Sequence, residues 1–330
     1  MYETLKQYGW NEDLEIQFQA ISIEQPLLIP GRVTSVHRIS YDVITESGEM
    51  VCEITGNRLK DKNPYQKPIV GDWVLIERGE ANNGNIIREI LLRKTILKRK
   101  KIGGQDNVQI IASNVDRAVI VQSLAQDFSV RRLERNLLQL ADTGIKPIIV
   151  LNKLDLVEDT NEFEKVMRGI DENIPVIYSS FVSGHGLDEI QNMLTPGETV
   201  VFIGSSGVGK SSIINTMLDE ERQQKTRAIS TYSGKGKHTT TSRKLFLLEN
   251  GVIVIDTPGT REFGLVLDDE SVLQEQFAQI DQFSRHCKFR DCRHDTEPDC
   301  AVKDAIIKGE LSESILDAWQ KLSKEVNQKS

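Results

Sequence analysis

The run Gly204-Ser205-Ser206-Gly207-Val208-Gly209-Lys210-Ser211, followed by Ser212, constrains the fold more than any other feature of the chain. It fits the pattern G-x-x-x-x-G-K-S and lies between an apolar run, TVVFI, and a segment with Ile213, Ile214, Met217 and Leu218 on one helical face. A strand, a glycine-rich turn and a helix in that order form a phosphate-binding loop. The glycines let backbone N–H groups converge on phosphate oxygens at a helix start, Lys210 offsets phosphate charge, and Ser211 can ligate Mg²⁺. Such a loop belongs to an α/β domain with a largely parallel sheet.

The loop alone does not choose a nucleotide; Asn152-Lys153-Leu154-Asp155 does. A carboxylate at Asp155 can accept two hydrogen bonds from the ring N–H and exocyclic amine of guanine, whereas adenine would leave it facing an acceptor. Lys153 can lie along the base and Asn152 can brace the loops. A third segment, Asp256-Thr257-Pro258-Gly259, ends the apolar run VIVID. There Asp256 can hold Mg²⁺ through water, and the Gly259 N–H can meet the γ-phosphate. In common GTPases the phosphate loop comes first and the base reader last. Here the order is base reader, phosphate loop, DTPG, so the domain reads as circularly permuted, which a sheet tolerates because strand neighbours matter more than the position of the termini.

The rest of the chain divides around this core. Residues 1–27 form an extension, and residues 28–107 alternate apolar and polar over about five short strands, the pattern of a small oligonucleotide-binding (OB) type barrel. Residues 108–267 alternate strand and helix as the permuted GTPase domain, with one antiparallel pair across Asn250-Gly251. Residues 268–330 read as helical. The expected fold class is therefore multidomain α/β: an N-terminal OB-type β-barrel, a circularly permuted P-loop GTPase domain and a C-terminal helical zinc-binding domain.

The zinc expectation rests on Cys287-x₄-Cys292-x-His294-x₅-Cys300. Three thiolates and an imidazole make a closed tetrahedral set, which is a structural zinc site rather than a catalytic one. His286 is a competing ligand, read instead as a neighbour of the site. Cys52 stands apart and reads as a buried small hydrophobe, while His37 and His185 carry no signal. With no charged start followed by an apolar run and no stretch long enough to span a bilayer, the chain is expected to be cytoplasmic, without a membrane partner.

A net charge of −8 argues against indiscriminate coating of nucleic acid. Two stretches are nevertheless basic: Arg93–Lys101 holds six Lys or Arg, and Arg222–Leu248 holds seven with no acid. A basic run is as often a solvated face as a binding one.

The permuted order, GKGKHTTT at 234–241, DTPGTREF at 256–263 and the cysteine spacing together closely resemble the small ribosomal subunit biogenesis GTPases of the RsgA family, also called YjeQ or YloQ. The resemblance spans roughly residues 28–320. It implies GTP hydrolysis, stimulated by the small ribosomal subunit and used as a timed switch late in that subunit's assembly. The implied partners are GTP and GDP with Mg²⁺, and the small subunit with its rRNA; one structural Zn²⁺ per chain and a monomeric state are expected. By this similarity Ser179 and Ser180 form the guanine-supporting loop, Thr239 and Thr240 are switch threonines, and His238 acts in hydrolysis. Thr260 occupies the place where many GTPases carry a water-orienting glutamine. An rRNA contact is the other role open to His238. Two further functions stay open: a nucleotide-gated RNA-binding factor with little need for hydrolysis, and a metal-insertion GTPase.

Overall fold

The computed structural model describes residues 2–61, 63–79, 84–100, 108–125, 128–141, 143–205, 207–217, 244–256, 278–289, 291–311, 316, 319 and 320. The chain forms two compact units, one of residues 1–128 and 145–262, the other of residues 129–144 and 263–330. No helix among the described residues is long and apolar enough to cross a membrane.

The first unit is organised by one sheet. Strands β1 (Ile29–Val36), β2 (Tyr41–Thr45), β3 (Gly48–Ile54), β4 (Trp73–Glu77) and β5 (Asn85–Ile90) pair in the order β1-β2-β3-β5-β4, and β4 pairs back onto β1. That last pairing closes the barrel and removes its open edges. Its interior is the alternating set the sequence pattern marks, including Val33, Val43, Ile76 and Ile87. Cys52 lies in it, fully buried, and burial with the nearby Asp42 charge pushes its thiol up to about 12. It is the apolar filler expected from its strand position.

A hairpin of β6 (Ile96–Lys100) and β7 (Val108–Ser113) spans the position where the sequence rhythm changes. Beyond it, β8 (Arg117–Ser123), β9 (Lys146–Asn152), β10 (Val176–Ser179), β11 (Thr199–Ile203), β12 (Lys244–Leu247) and β13 (Ile253–Asp256) pair as β10-β9-β8-β11-β13-β12. All these pairs are parallel except β12–β13. Because covered parallel strands are buried on both faces, they read as unbroken apolar runs; every residue of β11 is buried. Helices α5 (Asn161–Met167), α6 (Leu187–Asn192) and α7 (Lys210–Thr216) connect the strands. Ile190, Ile213 and Ile214 pack with Val121, Val150, Phe202 and Val254 in one core.

The two parts of the sheet meet where β1 pairs antiparallel with β12, Ser35 opposite Lys244. A buried polar network reinforces that junction. Arg32, 1 % exposed, donates to the carbonyls of Tyr8, Gly71 (3.3 Å) and Asn114 (3.2 Å) and to Thr199 Oγ1 (2.8 Å), and its guanidinium lies 5.2 Å from the Trp73 ring centroid. Asp72 is gripped by Arg93 through two 2.7 Å hydrogen bonds, by Ser113 Oγ and by the Ile69 N–H at 2.9 Å. The first basic stretch is thus partly consumed inside the fold: Arg93 pairs with Asp72 and Lys98 is buried, while the exposed Lys94 donates to Asp116 at 3.2 Å on the surface.

The extension is built into the same unit. Helices α1 (Glu3–Gln7) and α2 (Glu12–Ser22) bring Leu5, Trp10 and Leu14 against Leu28, Trp73, Leu75 and Leu91 of the barrel. Asn11 caps α2 by accepting from the Leu14 N–H, and Glu46 from the β2–β3 turn accepts from the Glu3, Thr4 and Leu5 N–H groups at the start of α1. A short helix, α3 (Gly56–Lys60), follows β3.

The second unit takes α4 (Val130–Ala141), the helix between β8 and β9, and combines it with α8 (Ala278–Ser284) and α9 (Ala301–Ile307). Leu138 joins Ile280, Val302, Ala305 and Leu311 in its small core, with Cys287, Cys292 and Cys300 among them. Much of the stretch 268–330 expected to be helical falls outside the described residues.

Removing one partner of the Asp72–Arg93 pair leaves an uncompensated buried charge, which costs about 3 kcal/mol or more. Asp72→Ala is expected to lower the urea midpoint of the first unit by a corresponding amount, whereas Glu3→Ala, which breaks an exposed pair with Lys6, should leave it essentially unchanged.

Candidate functional site

The site assembles at the carboxyl ends of parallel strands, where an open α/β sheet offers a crevice. β9 ends at Asn152, β10 at Ser179 and β13 at Asp256, and β11 runs directly into Gly204. Two glycines of the loop are dictated by crowding. Gly204 has φ 153° and a side chain there would lie 2.3 Å from the Val121 carbonyl oxygen; Gly209 has φ 104° and a side chain would meet Asn152 Nδ2 at 2.2 Å. Both combine a backbone favouring glycine with a neighbour that cannot withdraw.

Asn152 explains the second contact. Its side chain, 2 % exposed, donates from Nδ2 to the Val208 carbonyl at 2.8 Å and accepts on Oδ1 from Ser179 Oγ at 3.1 Å. One amide thereby bridges the phosphate loop and the loop after β10, with both of its polar ends used. The bracing expected of Asn152 is present. Lys153 follows in the left-handed region, φ 66°, and starts a short 3₁₀ turn over Leu154–Leu156. This turn brings Asp155 beside Ser180, whose hydroxyl donates a short hydrogen bond to Asp155 Oδ1 and accepts from the Ser183 N–H at 3.2 Å.

The two serines therefore divide their work: Ser179 holds Asn152, and Ser180 holds Asp155. Sequence spacing does not separate them, because adjacent residues at a strand end can turn either way. The Asp155 side chain belongs to an exposed residue, so its carboxylate is open to a base from outside. Ser180 leaves Asp155 Oδ2 and the remaining lone pair of Oδ1 for two donors.

In the phosphate loop, Lys210 Nζ donates to the carbonyls of Gly204 and Ser205, both at 2.7 Å, and Val208 is buried as the loop's apolar anchor. Lys210 opens α7; Ser211 is exposed in its first turn and Ser212 half-buried, while Gly207 is exposed at the crest of the loop. Ser206, His238, Thr239, Thr240, Gly259 and Thr260 lie outside the described residues, as does the side chain of Asp256.

A second cluster stands in the other unit. The ligand atoms of Cys287, Cys292, His294 and Cys300 lie within 4.8 Å of one another. Cys287 Sγ is 3.9 Å from Cys300 Sγ and 3.6 Å from His294 Nδ1, and His294 Nδ1 is 3.3 Å from Cys300 Sγ. A tetrahedral zinc with Zn–S of about 2.3 Å and Zn–N of about 2.0 Å requires ligand separations of about 3.5–3.8 Å. The donor set fits such an ion in chemistry, and the separations among Cys287, His294 and Cys300 are close to those it requires. His294 is 2 % exposed and has φ 58°; the Trp319 ring, 5.2 Å from its own, and Gln320 Nε2, 2.7 Å from its carbonyl, hold it in place. His286 is outside the cluster, its Nδ1 3.1 Å from the Gln282 carbonyl oxygen.

Comparison with known proteins agrees with this architecture. The family model for the RsgA GTPase matches residues 90–266. The small ribosomal subunit biogenesis GTPase RsgA 1 of Bacteroides thetaiotaomicron is 40 % identical over 321 residues, covering 97 % of this chain and 89 % of that protein. Its namesake in Methanosarcina acetivorans, RsgA, is 39 % identical over 319 residues, covering 97 % and 84 %. Among solved structures, YjeQ from Thermotoga maritima superimposes with a TM-score of 0.61 at 28 % identity, over 91 % of this chain and 98 % of that one. YloQ, described as a circularly permuted GTPase, gives 0.60 at 27 % identity over 92 % and 96 %. With the barrel, the reordered nucleotide loops and these relatives in agreement over nearly its whole length, the chain belongs to the RsgA family of circularly permuted GTPases.

Proposed function

We propose that this GTPase binds the small ribosomal subunit and its rRNA and uses GTP hydrolysis as a timed switch in the subunit's late maturation. The observation that carries the reading is the side-chain bridge from Asn152 to the phosphate loop, joined to the Ser180–Asp155 bond. It couples base recognition to phosphate binding within one rigid set of strand ends, as a guanine-specific hydrolase needs. The curated relatives bear the names of small-subunit biogenesis factors. Turnover of GTP with and without purified small subunits tests it, and equal rates would refute the switch.

In this reading Asp155 accepts from the guanine ring N–H and amine, with Ser180 fixing the carboxylate and Ser179 acting through Asn152. Lys153 flanks the base. Residues 204–212 wrap the phosphates, with Lys210 moving its ammonium from the loop carbonyls to phosphate oxygens. Mg²⁺, when bound, neutralises developing phosphate charge; Ser211, Thr239, Thr240 and Asp256 are the residues that would hold it, and the Gly259 N–H would meet the γ-phosphate. His238 orients the attacking water, a task Thr260 is too short to perform. Cys287, Cys292, His294 and Cys300 hold one structural Zn²⁺. Their closed four-ligand set disfavours the metal-insertion reading, since a cargo site must release its ion. The protein works in the cytoplasm as a monomer.

Ser180→Ala removes a hydrogen bond to a charged group, a contribution of about 1.5–3 kcal/mol. It is expected to weaken GDP binding by about tenfold or more in calorimetry while circular dichroism stays parental; undiminished affinity would show that Asp155 needs no such support. Freshly purified protein should contain one zinc per chain by elemental analysis, and Cys292→Ser should lose it and melt earlier in the second unit. For His238→Ala, GTP binding and subunit association should persist while stimulated turnover drops by about 10²-fold or more. Parental turnover by the mutant at saturating subunits would remove His238 from the reaction.

A further inference from the structure

We infer that the outer face of α2 is a docking surface for a basic protein segment bearing aliphatic side chains, contributed by the protein component of the ribosomal subunit; this rests on the ribosomal reading above. α2 already has the apolar seam its fold requires. Leu14 is buried, and Phe18 and Ile21 pack with it against the Trp10–Trp73 cluster. A second apolar stripe runs along the opposite side: Ile16 (60 % exposed), Ala20 and Ile23 (83 % exposed), spaced by four and three residues. Leu27, 84 % exposed, continues beyond the helix end. Leu92, 79 % exposed, flanks it, its N–H donating to Gln17 Oε1 on the same helix at 2.8 Å. Scattered exposed aliphatics mean little, but a helical stripe of them that the protein's own core does not use marks an interaction site.

Charge selects the occupant. Between Gln7 and Gly31 there are four acids, Glu12, Asp13, Glu15 and Glu24, and no Lys, Arg or His. Glu15 is engaged by Trp10 Nε1 and Gln19 Nε2 at 2.9 and 3.0 Å. Helical spacing puts Glu12 and Asp13 on either side of Ile16, with Glu24 just past Ile23. An acidic rim around an aliphatic stripe repels a phosphate backbone, which attracts Lys and Arg instead. It complements a segment whose aliphatic side chains fill the stripe while its Lys or Arg residues meet the rim. The extension thus supplies a protein-binding face on a molecule proposed to contact RNA elsewhere.

The test uses the full chain with a photo-cross-linking amino acid in place of Ala20, bound to purified small subunits in a non-hydrolysable GTP analogue. Irradiation should join it to a peptide of a subunit protein that carries Lys or Arg beside aliphatic residues, identified by mass spectrometry. Ile16→Ser/Ile23→Ser, and separately Glu12→Lys/Asp13→Lys/Glu24→Lys, should each lower subunit affinity by about tenfold or more. Basal GTP turnover without subunits and circular dichroism should stay parental in both. Cross-linking to rRNA or to a second copy of this chain, or parental affinity in both variants, overturns the inference and leaves the ribosomal reading standing. If the parental protein does not bind subunits at all, that reading fails and the inference fails with it.

Discussion

A guanidinium taken out of water must be given acceptors for its donors, and few arrangements of chain can supply them at one point. Arg32 draws its acceptors from four separated segments: the extension at Tyr8, the barrel at Gly71, the residue after β7 at Asn114, and the first residue of β11 at Thr199. Burial lowers its pKa to about 10, with Asp116 and Asp72 opposing the fall, so it stays charged at neutral pH. The barrel, extension and nucleotide domain are therefore correct relative to this cation together or not at all. β11 then carries the constraint onward, since it begins at Thr199 and ends where the phosphate loop starts.

The permuted order becomes simple in the light of the sheet. β9 delivers Asn152 to the loop that follows β11, although 56 residues of chain separate Asn152 from Gly209 and β8 stands between the two strands. What the site needs is that these strand ends be level, which the parallel pairings of β8 with both β9 and β11 enforce. The chain can visit those positions in any order that keeps the crossovers short enough to form.

The nucleotide-loop motifs and the Cys/His cluster were legible in the sequence because each is a short run of fixed spacing. So were the barrel strands, whose alternation is local. Long-range partners were not. Nothing near Arg93 reveals that it turns inward to Asp72 while its neighbour Lys94 stays largely in solvent, for a basic run looks the same whether solvated or buried. The extension reads as unplaceable until Trp73, far along the chain, supplies the surface for Trp10. The distinct tasks of Ser179 and Ser180 depend on how a strand ends, which adjacent identical residues cannot encode. Asp155 and Asn152 were recognisable as a pair, but the amide contact that joins Asn152 to the phosphate loop emerges only from the folded distances.

The division into two units also sets a timetable for synthesis. α4 leaves the ribosome with the early half of the chain, yet Leu138 finds its companions in Ile280, Val302 and Leu311, which are made more than a hundred residues later. At ordinary rates of translation that interval lasts on the order of ten seconds. Throughout it, β8 and β9 can pair while Leu138 between them in sequence lacks the companions it has in the folded protein. The nascent protein thus carries Leu138 without its native companions until those later segments emerge, which makes α4 a place where a chaperone or a premature contact would intervene.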